Sequence, residues 1–486
     1  MLSAILVLGA VLRLSNLAVH SFWVDEGETV AIATAPDFLR ALEQTRHPPL
    51  AFAAFRIWMH VFGEDDATLR LLPALVSCIS LLLFLRLARI WLRSPGRIFA
   101  AALYAVSSFH IWHAHEVRGY AFLELAALIT LLGAASCIQR GRASAPRLAI
   151  IFVGTALAVG LHYLGGLLFL TVALLAAAAA GMGRISRGAG LVVAAASAAG
   201  MVGWAPWFAA LIPAQLDAPF GYQNQLSLRA LVELPVRHLL TALSVLPEAA
   251  TGWVYLLGAG LLIGFAAHLG SLVLGLVRPA RMASEGWWPA IAFAAPLAGA
   301  IVAMAVAPAS FTPKYLMVAA PGSVLMIAAG FAALKPQRLG ILLAGASGLG
   351  ILAITVDQNG RNFREDFRHA CGELAARWLP GDPVLVVTGT PDRFSEGAVR
   401  HYLRDRDDIR NAVVPASRFF AEPEAGSRVP GRLHVIYRDA MYARPYLRQL
   451  ESVYRVVHRE PMRFGVQYLL FRAAPAEKNA PGAFLR

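Results

Sequence analysis

A chain of 486 residues and 52.1 kDa is long enough for two or three soluble domains, but 58% of it is hydrophobic, 15% is charged and its mean hydropathy is +0.58. That balance excludes soluble-only, fibrous and disordered classes. The net charge of +13 and pI of about 10.1 would suggest nucleic acid for a soluble chain; here the basic residues gather in loops between apolar blocks, so nucleic acid is excluded as a partner. Cys78, Cys137 and Cys371 form neither a disulfide framework nor a metal spacing.

A helix needs about twenty apolar residues to cross roughly 30 Å of hydrocarbon. Such blocks, bounded by Arg, Pro and Gly, predict eleven spans: 3–20, 69–91, 97–113, 120–138, 147–162, 164–182, 189–211, 251–277, 287–307, 315–334 and 339–356. The fifth and sixth divide if His162 to Gly166 is a tight turn. The first is not read as a cleaved signal peptide, because no basic segment leads it and many spans follow. With the amino terminus inside, the inner loops hold thirteen basic residues, from Arg86 to Arg338, and one acid, Glu285. The outer loops hold eight basic residues and twelve carboxylates. Retention of Lys and Arg on the cytoplasmic side supports this orientation, and the odd number of spans puts the tail outside.

The fold class predicted is a multi-span α-helical membrane domain over 1–356, with a long first outer loop at 21–68, followed by a small soluble α/β domain over 357–486. The tail carries 21 basic and 16 acidic groups. Its stretches 364–378 and 394–404 read as helices, and Pro383–Thr388, Leu433–Tyr437 and Gly465–Phe471 as strands. No G-x-G-x-x-G and no P-loop occurs in the chain.

Four clusters carry ionisable groups to the outer boundary. The first is Ser21-Phe22-Trp23-Val24-Asp25-Glu26-Gly27-Glu28. It reads either as an interfacial Trp anchor followed by solvated acids, or as a general base whose basicity rises where water is scarce. The second is Arg46-His47-Pro48-Pro49-Leu50. Its prolines suit a helix start and predict an interfacial helix over 49–62; His47 is the one candidate site residue there. The third, His110-Ile111-Trp112-His113-Ala114-His115-Glu116-Val117-Arg118-Gly119-Tyr120, offers Glu116 and Arg118 either as an ion pair or as site residues, since charge at membrane depth is costly. Its three histidines and Glu116 also raise a divalent metal such as zinc or manganese, although no H-E-x-x-H spacing is present. The fourth is Phe311-Thr312-Pro313-Lys314-Tyr315. Lys314 either snorkels to the interface or holds a phosphate at the headgroup plane. On the inferred topology all four share one side and one depth, where a carboxylate base and cations can together displace a phosphate leaving group from a sugar carbon.

The ordered set F-W-V-D-E (22–26), H-P-P-L (47–50), F-G then R-L-L-P (62–73), H-E-V-R-G-Y (115–120), H-Y (162–163), A-P-W (205–207) and P-K-Y (313–315) resembles the GT-C superfamily of multi-span glycosyltransferases. Within it, the set is most similar to the bacterial family 39 group related to protein O-mannosyltransferases and lipid A aminoarabinose transferases. The resemblance covers roughly the first 335 residues. It implies an inverting transfer of a hexose or pentose from a polyprenyl-phosphate donor to a hydroxyl of a lipid, glycan or protein acceptor. It also implies a multi-pass protein of the bacterial inner membrane, working on its periplasmic side. By position it makes Asp25 the acceptor base, Glu26 a support of that base or of the sugar, Glu116 the second acid, and Arg118, Lys314 and Tyr315 phosphate and headgroup contacts, with His47 and Tyr120 beside them. Position 314 is Lys where relatives often carry Arg, which forgoes a bidentate grip on phosphate. No cofactor is required by the motifs, and metal dependence stays open.

Two other functions compete. A transporter or flippase of a lipid-linked saccharide would use the same charges as a pathway, but predicts broken helices and a two-fold repeat of spans, which the sequence lacks. A membrane-tethered binding protein would work through its tail, which shows no ligand motif.

Overall fold

The computed structural model describes residues 1–45, 47–216, 252–277, 286–306, 313–387, 396–421, 431–438, 440–462 and 465–473. Arg46, Arg229, Arg237, Arg278, Arg281 and Glu285, which entered the charge argument, lie outside them, as do Phe311 and Thr312. The helices run, in chain order, α1 Leu2–Leu14, α2 Val24–Ala33, α3 Phe38–Gln44, α4 Leu50–Phe62, α5 Asp66–Trp91, α6 Gly96–Val106, α7 Ser108–Ala114, α8 Tyr120–Gln139 and α9 Ala145–Leu161. After a 3-10 turn at Tyr163–Gly166 come α10 Leu167–Gly181, α11 Arg187–Val202, α12 Ala205–Leu216, α13 Gly252–Val277 and α14 Trp287–Val306. A second 3-10 segment, Pro313–Ala319, leads into α15 Ala320–Ala333 and α16 Gln337–Gly360. The tail holds α17 Phe367–Arg377, β1 Val384–Val387, α18 Gly397–Tyr402, α19 Asp407–Arg410, β2 Val413–Pro415, α20 Ala416–Ala421, β3 Arg432–Arg438, α21 Ala440–Glu451, β4 Tyr454–Pro461 and β5 Val466–Ala473.

Two compact units emerge: a helical unit (Met1–Leu17, Leu42–Gly63, Ala67–Gly360) and a C-terminal unit that also takes in Ala18–Ala41 and Glu64–Asp66. Among the described residues, six helices are long and apolar enough to cross a membrane, the longest being Asp66–Trp91, and six more are apolar but shorter. The chain is a multi-pass membrane protein.

Each of the eleven predicted blocks contains helix, with differences at polar or small residues. The first helix stops at Leu14 rather than residue 20, because Asn16 takes a left-handed φ of 58°, a conformation Asn tolerates. The third block breaks at Ser107, whose ψ of 114° separates α6 from α7. The tenth opens as a 3-10 segment from Pro313. The prolines at 48 and 49 do start a helix, with Pro49 capping α4.

Helices that are apolar all round gain little from burial in lipid, so close approach and satisfied polar groups must hold them. A Cβ on Gly330 would stand 1.6 Å from the Gly264 carbonyl oxygen; α13 and α15 therefore touch backbone to backbone. The fully buried Arg13 donates from Nε to Ser77 Oγ (2.9 Å), from one terminal nitrogen to the carbonyls of Gly9 and Ala105 (2.9 Å each) and from the other to Tyr104 O (3.2 Å). That one guanidinium clamps α1 to α5 and α6. Asn359 adds a bond from α16 to Leu12 O (2.8 Å).

The C-terminal unit is built on a five-stranded mixed sheet in the order β2-β1-β3-β5-β4, with β1 parallel to β2 and β3, and β5 antiparallel to β3 and β4. Leu385, Val435, Tyr437, Leu469 and Phe471 fill one core on it; each such side chain contributes about 1.5–3 kcal/mol by leaving water. Helix α2 packs on α18 through glycines, since a Cβ on Gly27 would lie 2.3 Å from the Ala398 nitrogen.

Candidate active site

In the helical unit four chain segments bring polar side chains to one place. The loop before α4 supplies His47, and the loop from α7 to α8 supplies His113, Glu116, Arg118 and Tyr120. His162 lies in the turn beyond α9, outside both flanking helices, and Lys314 comes from the 3-10 segment at Pro313–Ala319. The local sequence explains each placement. Gly119 has no side chain to keep the loop off α4, for a Cβ there would sit 3.0 Å from Ala51 Cβ. His162 leaves the helix in extended conformation (φ −159°, ψ 138°), and its Nδ1 accepts the Leu164 N–H at 3.1 Å. The His162 ring centre is 6.3 Å from those of His47 and Tyr120. The Lys314 ammonium stands 5.5 Å from the centre of the Tyr120 ring, within cation–π range.

Arg118 donates to Nε2 of His47 across 2.9 Å. A guanidinium only donates, so His47 must offer a lone pair and is neutral, with its proton on Nδ1. Burial pushes His162 down to about 3, and the charges of Arg118 and Lys314 push it the same way. Two cations from distant segments therefore act on one uncharged ring. A cluster of two fixed positive charges and neutral imidazoles, in which Arg118 is buried and His47, His162 and Lys314 are half-buried, is suited to an anion with several acceptor oxygens.

The three histidines of the third cluster diverge. His113 Nδ1 is 2.6 Å from Glu116 Oε2, His115 Nε2 donates to Arg13 O at 2.8 Å, and His110 Nδ1 is 2.7 Å from Glu124 Oε1 deeper in the helices. Among the described residues no three His, Cys, Asp or Glu side chains group so as to hold a metal ion. Glu116, 1% exposed, instead forms a carboxylate–imidazole pair with His113, whose ring lies 5.1 Å from Tyr120.

Asp25 and Glu26 belong to the C-terminal unit, in the first turn of α2. Asp25 is half-buried; Glu26 is fully buried and its Oε2 meets Arg364 at 2.8 Å. The segment leading to them is fixed by the residues just after α16. Asn362 Oδ1 accepts the Ser21 N–H (3.1 Å), Glu365 Oε2 accepts the Val24 N–H (3.1 Å), and Glu365 Oε1 also binds Arg438 (2.6 Å). Phe22 stacks on His401 (4.4 Å between centres) and its N–H donates to Tyr402 Oη at 2.6 Å. Tyr402, His401 and Arg368 all converge on Asp66 at 2.9, 2.8 and 2.6 Å.

Of the residues singled out from sequence, His47, Arg118, Tyr120 and Lys314 stand together, with Glu116 linked to Tyr120 through His113. The Tyr315 side chain lies outside the described ones. Sequence reasoning weighed His113 only as a metal ligand, gave His162 no role of its own and passed over Arg364. The signals were present in H-Y directly after a span and in N-F-R-E directly after the last one.

No family model and no curated protein matches the sequence. Solved structures do match in three dimensions. ArnT from Cupriavidus metallidurans bound to undecaprenyl phosphate superposes with a TM-score of 0.58 at 12% identity, covering 99% of this chain and 98% of that one. The chain has the GT-C fold. The apo state of the same ArnT gives 0.59 at 14% identity over 96% and 97% of the two chains. The archaeal oligosaccharyltransferase AglB from Archaeoglobus fulgidus, in complex with an inhibitory peptide and a dolichol-phosphate, gives 0.51 at 12% identity over 99% of this chain and 75% of its own. The GT-C likeness spans both the helical unit and the tail.

Proposed function

We propose that the protein is an integral membrane glycosyltransferase that moves a hexosyl or pentosyl group from a polyprenyl-phosphate donor to a hydroxyl acceptor on the outer face of the membrane, with inversion. The observation that carries this reading is that Arg118, bonded to His47 at 2.9 Å, and Lys314, 5.5 Å from the Tyr120 ring centre, gather around His162, whose ring centre is 6.3 Å from those of His47 and Tyr120. Two of the GT-C neighbours carry an isoprenoid phosphate, the ligand class such a pair of cations suits. Excess positive charge in the inner loops supports an outer-facing site and tail.

In this reading the donor phosphate lies between Arg118 and Lys314, with its lipid tail among the helices. His47 fixes the guanidinium, and the Tyr120 ring steadies the ammonium. Asp25 takes the acceptor's hydroxyl proton, with Glu26 and Arg364 holding the helix start that bears it, and the oxygen attacks the anomeric carbon opposite the phosphate. The carbon–oxygen bond to phosphate breaks, its electron pair passes to the phosphate, and the two cations meet the charge that develops there. Glu116, held by His113, is the second acid beside the sugar, and Tyr315 contacts the headgroup.

The test is incubation of the purified protein with a panel of radiolabelled polyprenyl-phosphate sugars and membrane extract, with and without chelator. Label passing from lipid to a new acceptor supports the reading. A folded protein that moves no label from any donor contradicts it.

A further inference from the structure

Asp25 sits at the start of α2, and the backbone that delivers it is held by side chains rather than by regular structure. The four N–H groups from Ser21 to Val24 each meet a side-chain oxygen. Ser21 donates to Asn362 Oδ1 (3.1 Å), Phe22 to Tyr402 Oη (2.6 Å), Trp23 to Glu26 Oε2 (3.4 Å) and Val24 to Glu365 Oε2 (3.1 Å). Three of those acceptors, Asn362, Tyr402 and Glu365, come from the tail. Tyr402 and Glu365 are held in turn: Tyr402 donates to Asp66 Oδ2 at 2.9 Å, and Glu365 Oε1 receives Arg438 Nε at 2.6 Å. Arg438 closes β3, the central strand of the sheet, where it pairs with Val466 of β5. The first N–H groups of a helix have no partner within it, so Val24, the first residue of α2, needs one from outside. A carboxylate there also suits the positive end of the helix. With its two oxygens the buried Glu365 therefore spans from the central strand to the residue before Asp25.

Resting on the transfer proposed above, we propose that the C-terminal unit is the template that sets the position of the acceptor base, and that Glu365 is the positioning residue linking its sheet to Asp25. The body of α2 is fixed by another contact. A Cβ on Gly27 would stand 2.3 Å from the Ala398 nitrogen, and one on Gly397 would stand 2.3 Å from the Gly27 carbonyl oxygen, so α2 and α18 meet backbone to backbone. That contact leaves the first turn, where Asp25 is half-buried, to be set by the acceptors of the preceding N–H groups. A catalytic group misplaced by about 1 Å can cost about a hundredfold in rate, while a donor bound by other residues keeps its affinity. Neither Glu365 nor Arg438 touches sugar or phosphate in this account; both act through the backbone of Val24. Glu365→Gln leaves one oxygen where Val24 and Arg438 each engage a different one. Arg438→Ala leaves the carboxylate on Val24 and frees its other end from the sheet.

The experiment uses the full-length protein with radiolabelled polyprenyl-phosphate sugars and membrane extract, and farnesyl phosphate as the probe of the donor site. Glu365→Gln, Arg438→Ala and Arg438→Lys are compared with Arg432→Gln. The last breaks an ion pair with Asp382 (3.3 Å) at the opposite end of β3, and so weakens the same strand without touching the link. The expected result is a fall in kcat of about tenfold in Glu365→Gln and Arg438→Ala, with the donor KM and farnesyl phosphate affinity within about twofold of wild type. Arg438→Lys, which keeps the charge, should recover most of the rate, and Arg432→Gln should work at the wild-type rate. Glu365→Gln combined with Arg438→Ala should lose no more than the worse single change, since both break one link. Wild-type kcat in folded Glu365→Gln overturns the inference while the transfer stands, and decides the matter should Arg438→Ala not fold. An equal fall in Arg432→Gln would mean that sheet stability alone sets the rate, and a parallel loss of farnesyl phosphate affinity would move the effect to the donor site. Either result overturns the positioning role. Folded wild-type protein that moves no label from any donor removes the proposed transfer and the inference together.

Discussion

Arg118 and His47, 71 positions apart, are joined by one hydrogen bond of 2.9 Å, and its direction settles the charge of the histidine. An imidazolium could not accept it, so the pair contributes one positive charge, aimed by a neutral ring. His47→Ala should leave the charge in place and loosen its aim. The expected outcome is about a tenfold fall in kcat/KM for a polyprenyl-phosphate sugar with little change in thermal stability. Arg118→Lys, which keeps charge and loses the planar fork, should cost about as much. Wild-type rates in both variants would remove Arg118 from the site.

Glu116 and His113 form a buried pair, and removing one partner leaves the other unmatched. Glu116→Gln should lower transfer at least about tenfold, on the scale of one lost charge-assisted contact. Steady-state kinetics with labelled donor measure it. His113→Ala should impair transfer in the same direction. An active His113→Ala enzyme beside an inactive Glu116→Gln enzyme would show that Glu116 acts without its imidazole.

Asp25 and Glu26 are adjacent and should answer differently. Asp25→Asn is expected to abolish transfer while folding and insertion persist. Glu26 is fully buried against Arg364, so Glu26→Gln should destabilise the C-terminal unit by about 3 kcal/mol. Proteolysis of the full chain under native conditions should show that weakening in Glu26→Gln and not in Asp25→Asn. Equal resistance in both would mean that the Glu26–Arg364 pair holds nothing.

The tail should be sensitive to acid at one buried histidine. His434, fully buried in β3, binds Tyr468 Oη (2.8 Å) and Asp382 Oδ2 (3.0 Å). Burial holds its imidazole below the ordinary 6.5, outweighing the upward pull of Asp382. With the folded value depressed, the unfolded chain takes up the proton first as pH falls through 6.5. Stability is then complete above that pH and declines below it. Hydrogen exchange in β3 and β5, corrected for intrinsic rates, should show protection falling from pH 7.5 to 5.5, and less so in His434→Gln. Flat protection across that range would contradict the assignment.

Much of this architecture was legible in the sequence because lipid imposes length and polarity on every span; all eleven blocks contain helix. What escaped were features decided by neighbours rather than by pattern. Strands β2 and β4 lie at the sheet edges, and β4, Tyr454-Arg455-Val456-Val457-His458-Arg459-Glu460-Pro461, is polar because an edge strand meets water. The histidines at 110, 113 and 115 looked like one set, yet a short helix followed by a turn sends them to Glu124, Glu116 and Arg13 O. His162 lay inside a quoted motif, but its value depends on Arg118 and Lys314, which no local window contains.

The most direct measurement is the affinity of farnesyl phosphate for the purified protein, in wild type and in Lys314→Gln, Arg118→Gln and the double variant, each shown to be folded. If the two cations hold the lipid phosphate, each single change should weaken binding about tenfold or more, and raising salt should weaken the wild type far less than it would an exposed pair. Unchanged affinity in the folded double variant would contradict the account.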